Sequence, residues 1–179
     1  ADGPRENKEA EQILCNKTKD LLKIDWDCEV KTLYREHNLG CKMAPVGGIK
    51  WFFDNETEGI VLEDDCLPNE DFFRFCDTLL DKYRDDTRVV HISGSNLNIN
   101  AKFGKDTYHF SKNTHVWGWA SWRRVWANYD ENLDLLDDFI SQDLFKYVYP
   151  KKDIIQSIQN SLIKTKNDNA DAWDYQYAF

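Results

Sequence analysis

The sequence predicts an α/β domain built on a mostly parallel sheet. Two patterns carry that expectation. Stretches with apolar residues at helical spacing alternate with short apolar runs of strand length, and several of the short runs end in polar or turn residues. The 179 residues are 41% hydrophobic and 14% aromatic, enough for a real core in one domain of ordinary size.

The elements follow in order. Asp2-Gly3-Pro4 is turn chemistry. Glu6 to Leu22 reads as a helix with Ala10, Ile13, Leu14 and Leu21 on one face. Cys28 to Arg35 alternates as a strand does, and a loop at Asn38–Lys42 leads into a helix over Met43–Phe53. Gly59–Leu62 is a strand ending in the carboxylates Glu63, Asp64 and Asp65. Asn69 then caps a helix whose first turn holds Glu70 and Asp71 and whose stripe is Phe72, Phe73, Cys76, Leu79, Leu80 and Tyr83. Arg88–Ile92 reads as a buried strand and Thr107–Ser111 as a further one. Trp117 to Asn128 holds a loop and a helix, with Trp119, Trp122 and Trp126 spaced to share a helix face. Lys152–Ile163 is helical, with Ile154, Ile155, Ile158 and Leu162 in register. After the polar turn Asn167-Asp168-Asn169, Trp173-Asp174 opens a new segment. A chain that opens on a turn and a helix implies a fragment starting just after the first strand of its domain.

Charge and composition exclude several functions. A net charge of −9 argues against nucleic acid, whose phosphates need Lys and Arg. No apolar run approaches the roughly 18–20 residues of a membrane span, and ADGPRENKEA has no signal-peptide pattern. Five cysteines, an odd number with no C-x-x-C pair, argue against a disulfide framework or a zinc ribbon. Most read as small core residues in a reducing, cytoplasmic setting. A membrane-associated or Golgi-lumenal full-length protein is the alternative.

Three stretches can carry chemistry. Glu63-Asp64-Asp65 sits at the carboxyl end of a strand, where α/β sheets bind ligands. A carboxylate there can hold Mg²⁺ or Mn²⁺ together with a diphosphate; the alternative is a solvated acidic turn favouring the next helix. In HVWGWASWRRVW, residues 115–126, the Trp117-Gly118-Trp119 turn offers flat rings for stacking on sugars, against simple core packing. Arg123 and Arg124 can pair with carboxylates or phosphate. Asp174, beside Trp173, is either a helix cap or a general base. His37, His91, His109 and His115 lack metal spacing, and His91 reads as a satisfied core histidine. No G-x-G-x-x-G, P-loop or nucleophile motif occurs.

Taken in order, DGPR, LEDD followed by PNEDFFRF, VHISGSN, WGWASW and WDYQ resemble the GT-A class of nucleotide-sugar glycosyltransferases. More narrowly, the chain is similar to the inverting N-acetylglucosaminyltransferase I type and its bacterial relatives, over Asp2 to Gln176. The resemblance implies a GT-A fold and a single catalytic domain over 1–179, a fragment lacking the first strand and further C-terminal structure. It implies that Asp65 binds Mn²⁺ or Mg²⁺, that Glu63 and Asp64 face ribose and donor sugar, and that Asp2 lies near the nucleotide. Lys42 to Lys50, Lys50 included, flanks base and ribose; Trp117, Gly118 and Trp119 form the acceptor-side turn; Trp173 and Asp174 form the base motif, with Asp174 the base.

The implied activity is metal-dependent, inverting transfer of a sugar, of the hexosyltransferase kind, from a nucleotide-diphosphate sugar, UDP-sugar above all, to a glycan or other hydroxyl acceptor. The alternatives are a sugar-nucleotide pyrophosphorylase-like nucleotidyltransferase and an inactive nucleotide-sugar-binding domain.

Overall fold

Strand β3, Trp119–Trp122, runs through the middle of the molecule with both faces covered. It separates β1, Glu58–Val61, from β2, Ile92–Ser93, and pairs antiparallel with each. Glu58 faces Trp122 and Val61 faces Trp119 on one side; Ile92 faces Ala120 on the other. The computed structural model describes residues 1–97, 104–167 and 171–179. Around the strands lie α1 (Glu9–Asp20), α2 (Gly40–Asn55), α3 (Glu70–Lys82), α4 (Arg123–Trp126), α5 (Leu136–Ser141), α6 (Phe145–Val148), α7 (Lys152–Lys166) and α8 (Asp174–Ala178).

This corrects the expected fold class. The sheet described is small, three-stranded and antiparallel in every pairing, so the mostly parallel central sheet of a GT-A fold is not what the chain forms. The cause lies in β3, whose residues the spacing assigned to a helix. The tryptophans of WASW obey the period of two instead. Trp119 packs with Val46, Ile49, Phe53, Trp126 and Trp173 on the α2 side. Ala120 and Trp122 pack with Cys76, Leu79, Leu80 and Ile92 on the α3 side. Two aromatics on opposite faces let one short strand join two cores, and bulky aromatics favour the pleated backbone. Only Arg123–Trp126 continue as the expected helix.

Both arginines after β3 donate to backbone carbonyls. Arg123 donates to the carbonyls of Phe53 and Glu56 at the end of α2. Arg124 donates to the carbonyls of Tyr83, Arg84, Asp86 and Val89, at 2.9–3.2 Å, and lies over the Trp122 ring. Cations are suited to the unpaired carbonyls of helix C-termini. These two residues thus tie β3 to both flanking helices.

Other elements differ in extent. The Asn69 cap of α3 forms as expected, its Oδ1 accepting from the Phe72 amide at 3.0 Å. The strand expected at Arg88–Ile92 shrinks to Ile92–Ser93, because Val90 is exposed and its carbonyl accepts from Ser121 Oγ instead of a strand. No strand forms at Cys28–Arg35 or Thr107–Ser111, for neither finds a neighbouring strand among the described residues. Tyr108 instead packs edge-on to Phe75, Tyr83 and Phe110. Helix α1 forms, yet Ile13, Leu14 and Leu21 of its apolar face are exposed and none of its residues is buried. The short helices α5 and α6 were not expected; with α7 they build a third core of Leu133, Leu136, Phe145 and Leu162. Of the five unbonded cysteines only Cys76 is buried, which corrects the expectation that most sit in the core. The expected turn at Asp168-Asn169 lies outside the described residues. Among the described residues no helix is long and apolar enough to cross a membrane.

Candidate functional site

Beyond Val61, the last paired residue of β1, the chain turns. The Cys66 amide donates to the Glu63 carbonyl at 3.1 Å, and Asn69 then starts α3. The three carboxylates therefore hang between a strand end and a helix start. Glu63 is half-buried, while Asp64 and Asp65 are exposed.

Gly118 decides how the neighbouring tryptophans divide. Its φ of 68° is a conformation that side-chain-bearing residues avoid. The resulting turn sends Trp119 into the core, 0% exposed, and leaves Trp117 at the surface, 62% exposed. Two bonds fix it: the Gly94 amide donates to the Gly118 carbonyl at 2.9 Å, and Ser95 Oγ donates to the Trp117 carbonyl at 2.8 Å. Gly94 must itself be glycine, since a Cβ there would lie 2.4 Å from the Phe72 ring.

Trp173 is buried against Trp119, Trp126 and Tyr177, with ring centroids 5.9, 6.3 and 6.0 Å away. Tyr129 stacks on Trp126 and its hydroxyl donates to the Trp173 carbonyl at 3.2 Å. Asp174, the next residue, is the first of α8 and is half-buried. Its position is thus set by a packed aromatic cluster, although it lies on a five-residue helix.

These pieces meet at one cleft of about 610 Å³, lined by Glu63, Asp64, Trp117, Asp171, Trp173 and Asp174 among others. That volume lies within the roughly 300–1,000 Å³ of small-molecule sites. Asp65 lines an adjoining depression of about 420 Å³ that shares Leu62 and Trp117 with the cleft and also takes in Ser95 and Gly118. The carboxylates act on one another. Burial, then the charges of Asp65, Asp174 and Asp64, push the Glu63 carboxyl above its ordinary range, against a hydrogen bond from Trp173. Such a site repels anions unless a cation accompanies them.

The remaining expected residues fall elsewhere. The Asp2 carboxylate accepts from the Leu39 and Gly40 amides at 3.0 and 3.3 Å, and Asp171 Oδ1 accepts from the Lys42 amide at 3.0 Å. Together they occupy the amino end of α2, so Asp2 acts as a helix clamp. Lys50 pairs with Asp54 at 2.8 Å on the exposed face of α2 and does not line the cleft. Trp119 is wholly buried and lines no cleft with the carboxylates. His91, expected as a satisfied core histidine in a strand, has both ring nitrogens partnered but is half-buried and lies just before β2. Its Nε2 donates to the His115 carbonyl at 3.0 Å and its Nδ1 lies 3.2 Å from the Tyr177 hydroxyl. Burial pushes its pKa down to about 4.

Cys41, Asp171 and Tyr129 were missed. Cys41 and Asp171 line the cleft. Asp171 reaches an amide 129 residues away, a pairing no local pattern announces. Among the described residues no three His, Cys, Asp or Glu side chains group to hold a metal ion. No family model, no curated protein and no solved structure matches the chain.

Proposed function

We propose that this chain transfers a sugar from a nucleotide-diphosphate sugar to an acceptor hydroxyl, with inversion at the anomeric carbon. The observation that supports it is the convergence of Glu63, Asp64 and Asp174 with Trp117 and Trp173 on one cleft, with Asp65 in an adjoining depression that shares Trp117. A hydroxyl-rich, partly apolar ligand needs both carboxylates and an aromatic face.

Asp174 accepts the proton of the acceptor hydroxyl while that oxygen bonds to the anomeric carbon. The bond from that carbon to the diphosphate breaks, and its electron pair leaves with the nucleoside diphosphate. Trp173 and Tyr129 hold Asp174 in place. Glu63, whose raised pKa favours keeping a proton, and Asp64 bind donor hydroxyls. The carboxylate of Asp65 suits a hard divalent cation, Mn²⁺ or Mg²⁺, since such ions bind through one or two carboxylates plus substrate phosphates and need no all-protein cage. When bound, that ion supplies charge neutralisation for the diphosphate.

The test is product analysis with UDP-sugars and Mn²⁺. Release of UDP supports transfer, with water or an added alcohol as acceptor and an inverted anomeric product by NMR. UTP formed on adding pyrophosphate identifies a pyrophosphorylase instead. Neither product from any donor contradicts both.

A further inference from the structure

The third core is incompletely filled. Phe139, Phe145 and Phe179 form a ring group there, with Phe139 edge-on at 5.3 Å from Phe145 and 5.2 Å from Phe179. Against them lies a cavity of about 280 Å³, bounded by α5, α6, α7, α8 and residues 112–114. Phe145 and Leu162 are buried, while Phe139, Tyr149, Ile158 and Phe179 are only partly covered. Neither Glu63 nor Asp174 lines this space, and the proposed transfer does not use it. We infer that it binds a small monocarboxylate with an apolar tail, of the medium-chain fatty-acid kind.

The apolar walls take the tail. A cavity of roughly 150 Å³ lined by apolar side chains already binds a benzene-sized molecule, so this one has room for a chain of several methylenes. The charge at its edge selects the head. Lys112 lines the cavity, and its Nζ donates to the carbonyl of Val148, another lining residue, at 2.6 Å. That bond holds the ammonium beside the cavity and uses one of its three donors. Lys151 and Lys152 lie just after Tyr149 in the chain, at the amino end of α7. That end adds partial positive charge to theirs, against one carboxylate in its first turn, Asp153. A carboxylate is the head group that complements these cations, and an ammonium is repelled by them.

Protein-observed NMR titration tests this with octanoate, hexanoate, 1-octanol and octylamine. Octanoate is expected to move the amide signals of α6, α7 and α8 and to saturate. Hexanoate is expected to bind about tenfold or more weaker, since each buried methylene contributes roughly fourfold. Octanol should bind less tightly than octanoate, and octylamine less tightly still. Lys112→Met should weaken octanoate by about three- to fivefold, the worth of an exposed ion pair, and leave octanol unchanged. Ser161→Phe, which places a ring in the cavity, should abolish binding of both. Lys112→Met, at an exposed position, still reads out the site if that filled variant fails to fold. Octanoate that moves no signal in these helices, or that never saturates, overturns the inference. So does an octanoate affinity that octanol or octylamine matches, or that Lys112→Met leaves unchanged. The transfer proposal is tested separately, by UDP release, and does not depend on this site.

Discussion

The Tyr129 hydroxyl donates to the backbone carbonyl of Trp173 at 3.2 Å, one residue before Asp174. Tyr129 also stacks on Trp126, with ring centroids 4.5 Å apart and planes 9° from parallel. Ring and hydroxyl hold the segment carrying the proposed base from one side. Tyr129→Phe keeps the stack and removes the hydrogen bond. Stability should fall by about 1 kcal/mol in urea denaturation, the usual net worth of such a bond. UDP release should fall further than stability explains, with kcat rather than donor KM carrying the loss.

Gly118 separates an exposed Trp117 from a buried Trp119 at φ 68°. Gly118→Ala should destabilise by about 1–2 kcal/mol, the strain of a left-handed residue with a Cβ. A Cβ there would lie 3.5 Å from Leu62 and Phe72, ordinary contact, so backbone strain and not a clash is the cause. Equilibrium denaturation checks the magnitude. An alanine variant as stable as the parent would mean that the turn relaxes.

Arg124 serves the carbonyls of Tyr83, Arg84, Asp86 and Val89. Arg124→Leu leaves these acceptors short of a donor and should cost about 2–4 kcal/mol. Arg88→Leu, by contrast, removes an exposed ion pair with Asp86 and should cost less than about 1 kcal/mol. The difference between the two variants in thermal denaturation isolates the capping role.

His91 makes stability depend on pH. Its folded pKa, about 4, lies below the ordinary value near 6.5. The unfolded ring therefore takes up a proton first on acidification. The contribution is complete above about pH 6.5 and is lost as pH falls toward about 4, up to ~3 kcal/mol in all. Glu63 works in the opposite sense, because its raised carboxyl is relieved by protonation. The His91 effect should thus be read as the difference in pH dependence between the parent and His91→Phe, with the variant flatter across that window.

Local chemistry was legible where one element decides it. The Asn69 cap, the α3 stripe and the run of β1 into three carboxylates all follow from short-range pattern. Pairing was not legible. Trp119, Trp122 and Trp126 satisfy a helical spacing, and only the flanking β1 and β2 make the first two a strand. The sheet class went wrong with that element and with the expected strands at Cys28–Arg35 and Thr107–Ser111, which find no partner strand among the described residues. Site residues followed the same division. Asp174 and Glu63 were placed by motif and line one cleft. Asp2 and Lys50 are taken by α2, one as a clamp on its amino end and one in a surface pair. Whether a carboxylate faces a cleft or caps a helix depends on which helix end arrives beside it, and that is tertiary information.

The central claim is that Asp174 is the base and Asp65 the cation-binding carboxylate. Paired variants, read by calorimetry with a UDP-sugar in Mn²⁺ and by UDP release, test it most directly. Asp174→Asn should leave donor affinity nearly unchanged and lower turnover by about 10²–10⁴-fold, the range for losing a general base. Asp65→Asn should weaken donor binding in Mn²⁺ sharply, with activity falling alongside. Loss of donor binding in Asp174→Asn with retention in Asp65→Asn would reverse the roles, and no change in either variant would contradict the proposed transferase.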